Sequence, residues 1–226
     1  MSERLPTLDG LRGMLALIVV ADHAVELCAG SYALAGVATE CVAVFFAMSA
    51  MVLARSYDGR YGRFLARRAV RLLPVYLLCW AAGCAVYGRF DLPQHVDPPA
   101  WSMNLEGAAM LLFPVIVWCA ARPWAAALAT ATAFVIGAEW WWFGFHSAFF
   151  VLGAVCASAS PRVVWLETAA PQWLGKVSYS LYLTHWLVIK ALGVWGLPLV
   201  LPVAWAVWWA VERPSVAMSR CYLGVK

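Results

Sequence analysis

Arg12 and His23 stand with ten residues between them in a stretch whose other ionisable groups nearby are Asp22 and Glu26. On an α-helix that separation is three turns, about 16 Å along the axis, and it brings both side chains to nearly the same azimuth. One stripe then carries a fixed cation at one end and an imidazole at the other. With an ordinary pKa near about 6.5, a neutral imidazole can take a proton from a hydroxyl at neutral pH. Glu26 follows His23 by one turn and can orient it, while Asp22 adjoins it. A plain hydrogen bond between helices would use the same residues, and spacing alone leaves both uses open.

Three further groups offer chemistry. Arg60, Arg63, Arg67 and Arg71 follow spacings of three and four, with Arg68 adjacent, so on a helix they form one basic stripe beside Phe64 and Leu65. Guanidinium forks match phosphate oxygens bidentately, so the stripe suits a diphosphate or a 3'-phosphate. It equally suits an interfacial helix that marks the cytoplasmic side and meets anionic lipid. Trp101-Ser102-Met103-Asn104-Leu105-Glu106 places Ser102 and Glu106 four apart on one face, where Glu106 needs a cationic partner or a proton. Ser178, Tyr182 and His185 share another face and either line a ligand path or bond neighbouring helices. No G-x-S-x-G elbow occurs, so no serine nucleophile is expected.

The elements that position these groups follow from composition. Of 226 residues, 64% are apolar or aromatic, only 12% are charged and 14 are Trp, which excludes both a water-soluble globule and a disordered chain. Charge-poor stretches at 11–30, 34–54, 72–88, 102–120, 124–142, 146–160, 177–195 and 197–212 predict an all-α bundle of about eight membrane spans, each near the roughly 20 residues a bilayer requires. Seven spans with one re-entrant segment is the other reading. The loop holding Arg55 to Arg71 then shares a side with the N-terminus, Arg122, Arg162, Arg220 and Lys226, so both termini are expected in the cytoplasm.

Ionisable groups within those stretches, namely Asp22, His23, Glu26, Glu40, Glu106, Glu139, His146 and His185, are candidates for function because burial in lipid is costly. Most tryptophans, Trp101 and Trp140 to Trp142 among them, read as interfacial anchors. The excess of 16 Lys and Arg over 12 Asp and Glu is flanked by apolar spans, which points to lipid or a small phosphorylated ligand rather than nucleic acid. Seven cysteines without a C-x-x-C pair give no metal or disulfide framework and read as small buried apolar residues. No cleavage site follows the first apolar run, so no removable signal peptide is expected.

These segments together resemble the membrane-bound acyltransferase family 3. They are Leu8-Asp9-Gly10-Leu11-Arg12-Gly13 with His23 ten residues after Arg12, Phe45-Phe46-Ala47-Met48-Ser49-Ala50, and Arg67 to Tyr76. Trp101 to Glu106, Phe149-Phe150-Val151-Leu152-Gly153, Gly175 to His185 and Val211-Glu212-Arg213-Pro214 complete the order. The resemblance implies a single integral-membrane domain over 1–226 that moves an acyl group, most simply acetyl, from acyl-CoA to a hydroxyl of a sugar, glycolipid or amphipathic natural product. It makes His23 the base, with Arg12, Glu106 and Asp22 beside it in catalysis. Arg68 and Arg71, with Arg67 and Arg63, would bind the coenzyme A phosphates. Ser49, Ser102, Tyr182, His185 and Glu26 are the substrate-binding candidates. No metal is implied, membrane lipids and a homo-oligomer are the expected partners, and a bacterial cytoplasmic membrane is the expected location. Ala50 stands where the family has Gly, and members commonly have longer chains with more spans, so the resemblance is to a compact form.

Two other classes compete on residue types alone. A membrane cyclase or isomerase would use His23, Asp22, Glu26 and Glu106 as acid-base groups on an apolar substrate, but would need no phosphate clamp. A proton-coupled transporter would use the same buried groups as a relay, but no inverted half-repeat is visible.

Overall fold

The computed structural model describes residues 5–31, 36–139 and 141–222, without the side chains of residues 136–144 and 222. The side chains of Glu139 and of Trp140 to Trp142 therefore lie outside the described set. Among the described residues every regular element is a helix, with no strand. The longer helices are α1 (Pro6–Ala29), α2 (Val37–Ser56), α3 (Tyr61–Tyr87), α4 (Trp101–Leu111), α5 (Phe113–Ala120), α6 (Pro123–Glu139), α7 (Trp141–Val155), α8 (Ala169–Leu192), α9 (Val200–Val207) and α10 (Arg213–Tyr222).

Among the described residues three helical stretches are long and apolar enough to cross a membrane: α2, α3 and the run Ala169–Cys221. The pair Pro98–Leu111 and Phe113–Ala120 makes a fourth if counted as one broken span. α1 has the length for a span but carries Asp9, Arg12, Asp22 and Glu26. α6 and α7, at 17 and 15 residues, fall short of the roughly 20 a crossing takes.

Two segments depart from the expected spans for local reasons. The stretch 102–120 is bent by 69° at Leu112. Pro114 follows in the first turn of α5, and its ring and missing N–H cannot continue an α-helix from the residues before it. The basic stripe is not a separate interfacial helix. It is the first half of α3, which runs unbroken into the expected 72–88 span even with Pro74 inside. Tyr179 Oη donates to the Leu72 carbonyl at 2.8 Å, tying α3 to α8 two residues before that proline.

The chain divides into two compact units. The first comprises Thr39–Leu65 and Ser102–Arg162. Its core includes Phe46 and Phe150, with ring centroids 4.9 Å apart, and the fully buried His146 set edge-on to Phe46. A ring nitrogen of His146 reaches the Thr39 carbonyl at 3.3 Å, so this histidine is a hydrogen-bonded core residue. Gly153 lets α7 meet α2 backbone to backbone at Ala47.

The second unit comprises Pro6–Ala38, Ala66–Trp101 and Val163 onward. Its centre is the crossing of α1 and α8, where Gly10 faces Leu166, Gly13 faces Leu174 and Gly175, and Gly175 faces Asp9. A Cβ on Gly13 would lie 2.5 Å from the Gly175 nitrogen, and one on Gly175 would collide with the Asp9 carbonyl. Gly175→Ala should therefore force the two helices apart and destabilise the protein by about 1–3 kcal/mol or more. Thermal unfolding in detergent measures this, and an unchanged melting temperature would refute the close crossing. The first turn of α1 is held by Gln172 Nε2 donating to the Pro6 carbonyl at 2.6 Å and by Thr7 Oγ1 donating to Glu167 at 2.7 Å. α8 ends at Gly193, whose φ of 58° lies in the left-handed region that suits glycine.

The connection between α3 and α4 also belongs to this unit. Trp80 Nε1 donates to the Asp91 carbonyl at 2.8 Å, and Asp91 receives His95 at 2.9 Å and Arg89 at 3.2 Å. The hydrogen bond from His95 and that from the Leu92 N–H hold the Asp91 carboxyl below the usual carboxylate range.

Asp97 is the opposite case. It is 1% exposed, neither carboxyl oxygen has a hydrogen-bond partner among the described residues, and burial pushes its pKa well above the ordinary carboxylate range. The folded chain thus holds that proton more tightly than the unfolded one, and stability falls as pH rises from the unfolded value near about 3.9 through the raised folded value. Asp97→Asn keeps the shape without the charge. It is expected to raise the melting temperature at pH 8, by the equivalent of about 1–3 kcal/mol, and to change little at pH 4. Equal effects at both pH values would show that ionisation of Asp97 is not what costs stability.

Candidate functional site

α1 runs continuously from Pro6 to Ala29, so Arg12 and His23 lie on one helix as their spacing predicted, about 16 Å apart along its axis. Asp22 is buried beside His23, whereas His23 and Glu26 are half-buried. His23 Nδ1 lies 2.8 Å from Nε2 of His185 on α8. Trp186 sets its ring edge-on to His23, with centroids 5.1 Å apart, and its own Nε1 donates to Tyr87 Oη at 3.1 Å.

Arg12 forms an ion pair with Asp9 at 3.5 Å, one turn back on the same helix. A second carboxylate links it to the basic stripe. Glu212 is buried and accepts Ser180 Oγ at 2.6 Å and the Ser180 N–H at 3.3 Å, and the charges of Arg71 and Arg12 both act on it. The structure thus brings α1, α3, α8 and the C-terminal helical run to one charged cluster. Glu212 ends a π-helical turn, Trp208–Glu212, a geometry often found at functional sites. Sequence reasoning quoted Glu212 only as part of Val211-Glu212-Arg213-Pro214 and gave it no role. Its signal was a lone carboxylate at the end of an apolar run.

Arg67, Arg68 and Arg71 lie on α3 within the second unit, each half-buried. Arg63 lies on the same helix but within the first unit, as do Ser49, Ser102 and Glu106. There Ser49 Oγ donates to Glu106 Oε1 at 3.4 Å, joining the Phe45 to Ala50 segment to the Trp101 to Glu106 segment. Ser102 is buried and Glu106 half-buried. Ala50 is fully buried, so its methyl group fits where the family has Gly.

The polar stripe on α8 is occupied by bonds within the protein. Ser178 Oγ donates to the Gly175 carbonyl at 2.9 Å, Tyr182 Oη to the Pro99 carbonyl at 3.0 Å, and His185 meets His23. Among the described residues no group of three or more His, Cys, Asp or Glu is placed to hold a metal ion. Of the cysteines only Cys41 and Cys79 are buried. Cys156 and Cys221 are exposed, in the short turn after α7 and at the end of α10, so the all-buried reading fails for them.

A model of the family described as acyltransferase domain matches residues 5–168. The chain belongs to acyltransferase family 3. This acyltransferase is also 36% identical over 144 aligned positions to the protein called "Protein 2 in picA locus" of Rhizobium radiobacter, an alignment covering 50% of this chain and 74% of that relative. No solved structure matches it. It is accordingly an enzyme of the membrane that passes an acyl group from a donor, and membership gives the cyclase reading no support. His185 and Glu212 lie beyond the matched residues.

Proposed function

We propose that this acyltransferase moves an acetyl group from acetyl-CoA to a hydroxyl of a sugar, glycolipid or amphipathic natural product, with His23 as the base. The observation that carries the reading is the second unit's arrangement. A half-buried, hydrogen-bonded imidazole sits on the same helix as an arginine that shares the field of Glu212 with Arg71. Fixed cations clustered at one end of that helix suit the phosphates of coenzyme A, and Arg68 and Arg71, with Arg67 and Arg63 on the same helix, are the residues to hold them.

In the proposed reaction the acceptor hydroxyl gives its proton to His23 while its oxygen bonds to the thioester carbonyl carbon. Donors close to the carbonyl stabilise the negative charge that develops, while Arg12, about 16 Å along the axis, holds the donor's anionic end. The C–S bond then breaks, and the leaving thiolate takes the proton back from His23, giving an ester and free coenzyme A. Asp22, beside His23, supplies charge to the site. Within the second unit, Tyr182 and Glu26 belong to acceptor binding or to its support. The chain is taken as a single domain with eight apolar segments in a bacterial cytoplasmic membrane, both termini cytoplasmic, surrounded by lipid and open to self-association.

The test uses membranes containing the protein, supplied with acetyl-CoA and a panel of sugar, glycolipid and amphipathic alcohols. Free thiol should appear only with an acceptor present, together with an acceptor mass increased by one acetyl group. Thiol release that no acceptor stimulates, or none at all across donors of different chain length, would count against the reading.

A further inference from the structure

We propose that His185 is a positioning residue that fixes the tautomer of His23, with the proton on Nδ1 and the open lone pair on Nε2. The inference rests on the reading of His23 as the base and gives His185 a role other than binding substrate.

His185 Nδ1 lies 3.0 Å from the Leu181 carbonyl, one helical turn earlier. A carbonyl oxygen only accepts, so Nδ1 of His185 carries a hydrogen. His185 is 0% exposed, and the partners of its ring are a carbonyl and another imidazole. A second proton would make a buried cation without a bonded carboxylate, which is costly. The neutral ring therefore presents a bare Nε2, and that atom is the one 2.8 Å from His23 Nδ1. Two lone pairs cannot face each other at that distance, so His23 Nδ1 donates. The remaining nitrogen of a neutral His23, Nε2, is left unprotonated.

Ring geometry agrees with a strong in-plane bond. The two ring planes differ by 2° and their centroids are 5.1 Å apart, the arrangement of rings lying end to end in a common plane with a hydrogen bond between them. The edge-on indole of Trp186, pinned by Tyr87, resists the flip that would break that register. In the sequence Leu181, His185 and Trp186 form one turn of α8, so a single helical turn supplies the acceptor, the relay and the brace.

The chemical consequence is specific. Nε2 of His23 is the one basic nitrogen of the pair, and when it takes a proton the Nδ1–H···Nε2 bond becomes charge-assisted and stronger. A base is commonly oriented by a third group, often a carboxylate. Here a neutral imidazole does this work without adding negative charge to an apolar interior.

The test is nitrogen NMR on the full-length protein in nanodiscs with ¹⁵N-labelled histidine. The chain has 4 histidines, and single substitutions assign their signals. In the unaltered protein at neutral pH, His23 should show a protonated Nδ1 and an unprotonated Nε2. His185→Leu should shift His23 toward the Nε2–H form and lower kcat by about a hundredfold with little change in donor KM. His185→Gln offers an amide oxygen where Nε2 stood, and it should restore the Nδ1–H form and most of kcat. A protonated Nε2 on His23 in the unaltered protein, or a His23 spectrum indifferent to both substitutions, overturns the inference. The spectrum does not depend on activity. An essential His23 with the wrong tautomer defeats this inference alone, whereas a dispensable His23 with the expected tautomer defeats the acyl-transfer reading alone.

Discussion

His23→Ala is expected to reduce acetyl transfer by about 10²–10⁴-fold, the range that a positioned general base contributes. The alanine leaves His185 and Trp186 in place and removes only the group that receives the hydroxyl proton. Because the His23 ring is half-buried and bonds a single histidine on α8, its loss should leave the glycine-mediated crossing of α1 and α8 intact. Thiol release in membranes normalised to protein that elutes as a single peak in detergent measures the effect. A variant of normal abundance and elution that keeps full activity removes His23 as the base. His23→Gln should be as inactive as the alanine variant, since an amide cannot take the proton.

Replacing Arg68 and Arg71 together by alanine should raise the KM for acetyl-CoA by about a hundredfold or more. The figure follows from about 1.5–3 kcal/mol for each hydrogen bond to a charged group, with about 1.4 kcal/mol per tenfold. kcat should change much less, because the phosphates stay bound through the reaction. An acyl-pantetheine donor without the nucleotide supplies the control: its KM, already high, should be indifferent to the double substitution. Arg71 also lends its charge to buried Glu212, so the thermal stability of the double variant must be compared, and Arg68→Ala alone leaves that charge in place. Equal loss with both donors would assign these arginines to folding or to lipid rather than to coenzyme A.

The relation between sequence and structure can be traced residue by residue. Arg12 and His23 were legible because both lie on one helix, where periodicity is the whole of the geometry. The Ser49–Glu106 bond and the His23–His185 pair were not, since contacts 57 and 162 residues apart depend on helix placement that no spacing encodes. Gly10, Gly13 and Gly175 were visible as motif letters, yet only the crossing explains why a side chain is excluded there. The bend at Leu112 was foreseeable from Pro114, which composition-based span reading passes over. Pro74 does not interrupt the helix around it: it lies inside a 27-residue helix that carries the arginines straight into the apolar stretch.

Unbroken α1 also acts as a ruler. In the proposed reaction a donor anchored by its anionic end near Arg12 must still present its carbonyl at His23, about 16 Å along the axis. A pantetheine-length arm covers that interval, while a compact acyl phosphate held at the same anchor falls short of it. Carriers are thereby sorted by reach before any bond is made.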